Sequence, residues 1–104
     1  MPPMLEIRSS RGGGRLTLAL AGELDFDSSE ELVHRLARGV HAGAQIVVDL
    51  RGLTFIDVAG VDTLRRCARW ASDDGWTLTL AGAPPHVRRV LRLAGAESVL
   101  PLRP

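Results

Sequence analysis

The sequence predicts an α/β fold: a mixed β-sheet of about four to five strands, with helices between the later ones. Three observations carry this. Apolar residues switch several times between a period of two and helical spacing. The run "AQIVVDL" at 44–50 is continuously apolar and rich in β-branched residues, as in a central parallel strand covered on both faces. The order β, β, α, β, α, β, α then joins the later strands through helices, and such crossovers make them parallel.

Each element has its own signal. Leu5 and Ile7 alternate with polar neighbours as a short edge strand. "SSRGGG" at 9–14 gathers turn formers, and Leu16, Leu18 and Leu20 alternate after it, which predicts a hairpin. In "DFDSSEELVHRLARGV" the spacing turns helical: Leu32, Leu36 and Val40 recur with Val33 beside them, behind a capping box of Ser28 with Glu31 or Asp27 with Glu30. The strand at 44–50 follows, and "RGL" after it reads as a turn. From Val58, the residues Val61, Leu64, Ala68 and Ala71 trace the inward face of a second helix, while Asp62, Arg65, Arg66 and Arg69 keep to the other face. "SDDG" ends that helix. "WTLTLAG" turns Trp76, Leu78 and Leu80 inward as a strand. Pro85 suits the first turn of a last helix with Val87, Val90, Leu91 and Ala94 as its buried stripe and Gly95 at its end. The tail "ESVLPLRP" offers one more short strand, ending at Pro101. The four aromatics, Phe26, Phe55, Trp70 and Trp76, are few for a core, and Phe55 is assigned to it.

Composition narrows the function classes. The 104 residues, 45% of them hydrophobic, fit one domain spanning 1–104. With 13 basic against 12 acidic residues the formal charge is +1, so no general attraction to nucleic acid or an anionic membrane is expected. No apolar run approaches the roughly 20 residues of a membrane span and no signal-peptide pattern opens the chain, so the expected location is cytoplasmic. Cys67 stands alone, without the spacing of a disulfide or a zinc site. It reads as a packed residue. His34, His41 and His86 lie in separate segments with no partner at a ligand spacing. "GGG" at 12–14 is not followed by the Lys-Ser or Lys-Thr of a phosphate loop. No nucleophile with a base, no paired carboxylates and no metal cluster assemble, so neither catalysis, a cofactor nor a metal is expected.

What remains is the junction "TFIDVAGVDTL" at 54–64. It lies at the carboxyl end of a predicted strand, where α/β folds place their sites. Asp57 falls at the N-cap of the helix, where its carboxylate accepts free N–H groups of the first turn. Gly60 costs about 1 kcal/mol relative to alanine inside a helix, which points to close approach of another backbone or a partner. Helical spacing turns Ala59, Asp62, Thr63 and Arg66 outward and Val58, Val61 and Leu64 inward.

The stretches "GELDFDSSEEL", "IVVDLRGLTFIDVAGVDTL" and "LTLAGAPPHVRRVLRLAGAESVLPL" resemble, in order and spacing, the signature segments of STAS domains, and specifically of bacterial anti-sigma factor antagonists. The likeness covers nearly the whole chain. It implies a mixed sheet with helices packed mainly on one side, and protein binding rather than catalysis. The implied partner is an anti-sigma factor, a serine-protein kinase of the histidine-kinase-like ATPase type, whose capture frees a sigma factor; self-association is left open. In that family the partner phosphorylates a hydroxyl residue immediately before the junction glycine. Asp57 and Gly60 match the motif, but the acceptor position is Ala59 and its neighbour is Val58, so the usual switch is chemically absent. Thr63 is the substitute acceptor, with Thr54 as another hydroxyl nearby. The expected partner-binding residues are Asp57, Val58, Ala59, Gly60, Asp62, Thr63 and Arg66, with Asp25 added by the resemblance. An alternative role in the same family, accessory subunit of a bacterial lipid transporter docking on its ATPase, needs no phosphoacceptor.

Overall fold

The computed structural model describes residues 4–103. Its elements are β1 (Leu5–Gly12), β2 (Arg15–Leu24), α1 (Ser29–Gly39), β3 (Gln45–Ile56), α2 (Val58–Asp74), β4 (Thr77–Ala81), α3 (Pro85–Leu93) and β5 (Leu102–Arg103). The strands lie side by side in chain order, β1-β2-β3-β4-β5. β1 pairs antiparallel with β2, and every later pair is parallel. The mixed sheet of the sequence reading is therefore present.

Local chemistry explains the joins. Gly13 and Gly14 have φ of 60° and 78°, which closes a two-residue hairpin between Gly12 and Arg15 with the twist that flanking strands require. Right-handed crossovers between neighbouring parallel strands put α1, α2 and α3 on one face of the sheet. There Leu32 and Leu36, Val61 and Leu64, and Val87 and Leu91 pack in one buried cluster with Leu18, Leu20, Ile46, Val48, Leu50, Leu78 and Leu80. Trp76 closes the cluster near β4, its ring edge-on to Trp70 with centroids 5.3 Å apart. β3 is central and parallel as its apolar run predicts, but helices cover only one of its faces. Val47, on the other, is buried between its register partners Thr17 and Thr79.

Four sequence readings need correction. "RGL" is not a turn. β3 runs straight through it and carries one extra residue relative to β2 between Asp49 and Gly52, and another between Leu53 and Phe55. These bulges change the inward period from two to three, so that Leu50, Leu53 and Ile56 face the core. Phe55 is the residue displaced: it is 45% exposed rather than buried, and Phe26 is 79% exposed. The capping box does not form either, because the Ser28 side chain makes no cap bond to α1. Finally, the last strand begins after Pro101 rather than ending there, since proline has no N–H to give to a ladder and Leu102 pairs with Leu80 instead.

Candidate functional site

The junction between β3 and α2 is built from Asp57 outward. Asp57 is the N-cap of α2, in extended conformation, and its Oδ1 accepts the Gly60 N–H at 2.8 Å. That satisfies one of the otherwise unpaired donors of the first turn. Gly60 is needed for a different reason. A methyl group placed there would lie 2.8 Å from Ile56 Cγ1, 3.1 Å from the Leu24 carbonyl carbon, and closer still to its oxygen. The first turn of α2 thus rests on the backbone at the end of β2, and the close approach inferred from sequence is an internal one.

The end of β2 supplies the other half. Ser28 Oγ donates to the Glu23 carbonyl at 2.7 Å and accepts the Asp25 N–H at 3.0 Å. Asp25 Oδ1 accepts the Ser28 N–H at 3.0 Å, and Ser29 Oγ donates to the Asp25 carbonyl. Asp25 is thus a turn residue whose carboxylate is engaged within its own loop. Ser28, which makes no cap bond to α1, and Ser29 hold this loop in one shape around Phe26. Glu23 is the register partner of Phe55, and the Asp57 N–H faces the Leu24 carbonyl at 3.4 Å, so the two segments form one surface.

The buried face of α2 holds Val61, Leu64 and Ala71 as the sequence reading has it, but it extends toward Gly60. Because Gly60 packs inward against Leu24, the residues three and seven further on, Thr63 and Cys67, also turn inward. Thr63 is 1% exposed, and its hydroxyl donates to the Ala59 carbonyl at 3.0 Å while accepting from Arg66. It is not an outward residue, and a buried, engaged hydroxyl is no substitute phosphoacceptor. Val58, expected inward, is 74% exposed. Asp62 and Arg66 do face outward and pair with each other at 3.7 Å. Ala59 is half-buried and Gly60 is buried. Arg65, read as outward, is half-buried and donates to the Ala94 carbonyl at the end of α3.

At this end of the sheet Phe26, Phe55 and Val58 are exposed, and the same two segments and the start of α2 carry the acids Glu23, Asp25, Asp27, Asp57 and Asp62. Among the described residues, only Asp62 of these acids is in an ion pair. A groove of about 680 Å³ runs between β1 and the start of α1, lined in part by Met4, Ile7, Asp27 and Glu31. Sequence reasoning missed Phe26 and Phe55 as surface residues. The signal was available for Phe26, which sits between two aspartates in a turn-forming run. For Phe55 it was not, because the bulges that displace it are defined only against the register of β2.

Cys67 is packed on α2, and burial pushes its thiol up from 9.0 to about 11 against the opposing pull of the Arg66 guanidinium. The native thiol is expected to react with an aromatic disulfide reagent far more slowly than the unfolded chain does. Comparable rates would show that Cys67 is accessible. Between pH 9 and 11 the unfolded thiol loses its proton while the native one keeps it, so this group's contribution to stability falls as pH rises through that window.

The family model described as "Mlab, STAS domain" matches residues 7–103. The chain belongs to the STAS family. Among similar STAS proteins, it is 31% identical over 90 residues to BtrV of Bordetella bronchiseptica, named a putative anti-sigma factor antagonist, covering 86% of this chain and 78% of that one. It is 27% identical over 90 residues to a STAS-domain containing protein of Pseudomonas aeruginosa, covering 86% of this chain and 89% of the relative. The solved structure of the anti-sigma factor antagonist SpoIIAA in its unphosphorylated form has the same fold, with a TM-score of 0.68 at 20% identity over 94% of this chain and 86% of that one. The STAS sheet with its three helices is thus the frame that brings the two loops of the site together. No helix among the described residues is long and apolar enough to cross a membrane.

Proposed function

We propose that this STAS protein is an anti-sigma factor antagonist that binds an anti-sigma factor of kinase-like ATPase type, so releasing a sigma factor, and that phosphorylation at the usual junction position does not control it. One observation carries the reading: the junction keeps its Asp57 cap and its packed Gly60 while presenting Val58 and Ala59, neither of which has a hydroxyl. The relatives named as anti-sigma factor antagonists support the role. The partner-binding surface is Phe26, Phe55, Val58, Ala59, Asp57 and Asp62, with Arg66 at its margin and Asp25, Gly60 and Thr63 holding its shape. Exposed apolar residues with carboxylates on the same segments suit a partner with an apolar socket and basic rim. In such a complex a phosphate would add nearly two negative charges to an already acidic face, and Ala59 removes that means of ejection.

The test is affinity capture from lysate of the native host with the tagged chain, beside Ala59→Asp. An acid in the first turn of α2 suits the helix dipole, so the variant is expected to keep its fold while losing at least about tenfold in affinity. Capture of a kinase-like ATPase by the native chain alone is the expected result. Equal capture by both would remove Ala59 from the surface.

A second reading, an accessory subunit docking on the ATPase of a lipid transporter, is favoured by the same lack of hydroxyls at 58 and 59. Recovery of transporter components in that experiment would replace the first reading with the second.

A further inference from the structure

At the opposite end of the sheet, the start of β2 and the end of α1 enclose a second concave site. Leu16 pairs with Ile46 at this end and Leu24 with Ile56 at the other, so the two sites are about 26 Å apart along the strands. The pocket has a volume of about 320 Å³, and Arg11, Arg35, Arg38, Ser9, Ser10 and Gly39 line it together with two leucines. No acidic side chain lines it, and among the described residues none of the three arginines is in an ion pair.

The local geometry gathers these groups. Arg35 reaches from α1 to donate through Nη1 to the Ile7 carbonyl on the free edge of β1 at 3.0 Å, which fixes its guanidinium over the strand. Arg11 comes from β1 itself, and its Nη2 lies 4.0 Å from where a methyl group on Gly39 would be. That methyl would also lie 2.5 Å from Leu16 Cδ2, so the missing side chain at Gly39 lets Leu16 of β2 pack directly against the end of α1. Arg38, in the last turn of α1, is accounted for by the partial negative charge of the helix carboxyl end. That dipole explains one arginine, not three. Like charges crowded without counter-charges repel one another, so this arrangement is stabilised by an anion.

We propose that this pocket binds a diphosphate group. Guanidinium forks engage phosphate oxygens two at a time. Three guanidinium charges without a counter-charge are matched by the roughly three negative charges of a diphosphate near neutral pH better than by the one to two of orthophosphate. The serine hydroxyls add donors at the rim. The diphosphate has two chemical sources, a free soluble diphosphate or the headgroup of a prenyl diphosphate lipid, and the pocket's openness to solvent admits either.

The test is a titration of the full chain with inorganic pyrophosphate, followed by amide and arginine side-chain NMR signals, and in parallel a flotation assay with phosphatidylcholine vesicles carrying farnesyl diphosphate. Arg11→Gln combined with Arg38→Gln is the control variant, chosen because both side chains are exposed and its thermal midpoint should match the native one. Saturable shifts at Ser9, Ser10 and Gly39, weakened at least about tenfold in the variant and strongly reduced by added salt, are expected. Binding to the vesicles without response to pyrophosphate assigns the site to a lipid headgroup. No binding in either arm, or equal binding by the variant, overturns the proposal. Neither result bears on Ala59, so failure here leaves the junction reading intact.

Discussion

Replacing Gly60 by alanine is expected to lower stability by roughly 3 kcal/mol, a large part of what a small domain has. The cause is local and steric. The added methyl would be driven toward the Leu24 carbonyl and 2.8 Å from Ile56 Cγ1. Neither neighbour can yield cheaply. Leu24 is fully buried and ends a paired strand, and Ile56 is the last inward residue of β3. At about 5 °C per kcal/mol for a chain of this size, the thermal midpoint should fall by about 15 °C. Urea unfolding and calorimetry both read this out. A near-native midpoint would mean that α2 can slide away from β2 without penalty, and would remove the steric reason for a glycine in this motif. The variant also separates two uses of the residue: with the partner absent throughout, any loss belongs to the fold alone.

Phe26→Ala and Phe55→Ala should behave in the opposite way. Each is expected to weaken partner binding by about 30-fold while shifting the thermal midpoint by no more than about 2 °C, since an exposed aromatic at the centre of an interface costs about 2 kcal/mol to truncate. The stability half of that statement decides between surface and core. A buried phenylalanine truncated to alanine loses about 3 to 5 kcal/mol. Phe26 and Phe55, at 79% and 45% exposure, should lose little of this. Binding measured by calorimetric titration against the captured partner supplies the other half. If both variants bind as the native chain does, the apolar centre of the proposed surface is wrong, whatever the identity of the partner.

The element order, the central parallel strand, the N-cap at Asp57 and the start of α2 at Val58 were legible because each rests on residues close together in the chain. Periodicity and capping are short-range chemistry. Long-range contacts settled the rest. Whether Thr63 faces in or out depends on how far Gly60 sinks toward Leu24, a residue of another strand, and no pattern within α2 carries that information. The same holds at β3, where two bulges are defined only against the register of β2, so alternation counted along β3 alone puts Phe55 in the wrong place. Ser28 illustrates a competition between local motifs. Its sequence context fits a capping box, yet its hydroxyl serves the Asp25 turn, which builds the loop beside the junction. Of the candidate site, Asp57, Val58 and Gly60 could be named from the sequence, but the exposed Phe26 and Phe55 beside them, and the outward turn of Val58, could not.

The strand order, identical to the chain order, also bears on how this protein comes to be folded. The β1–β2 hairpin closes through a two-residue turn, a contact that forms in microseconds. Each later strand then docks on the edge left by its predecessor, one helix further along, and no segment has to wait for a distant part of the chain. This wiring keeps each later closure to a single helix crossover, shorter than pairing strands further apart in the chain would require. It also matches the direction of synthesis: on the ribosome the growing sheet has a paired template ready before each new strand emerges, and β5, the shortest, is the last to be added.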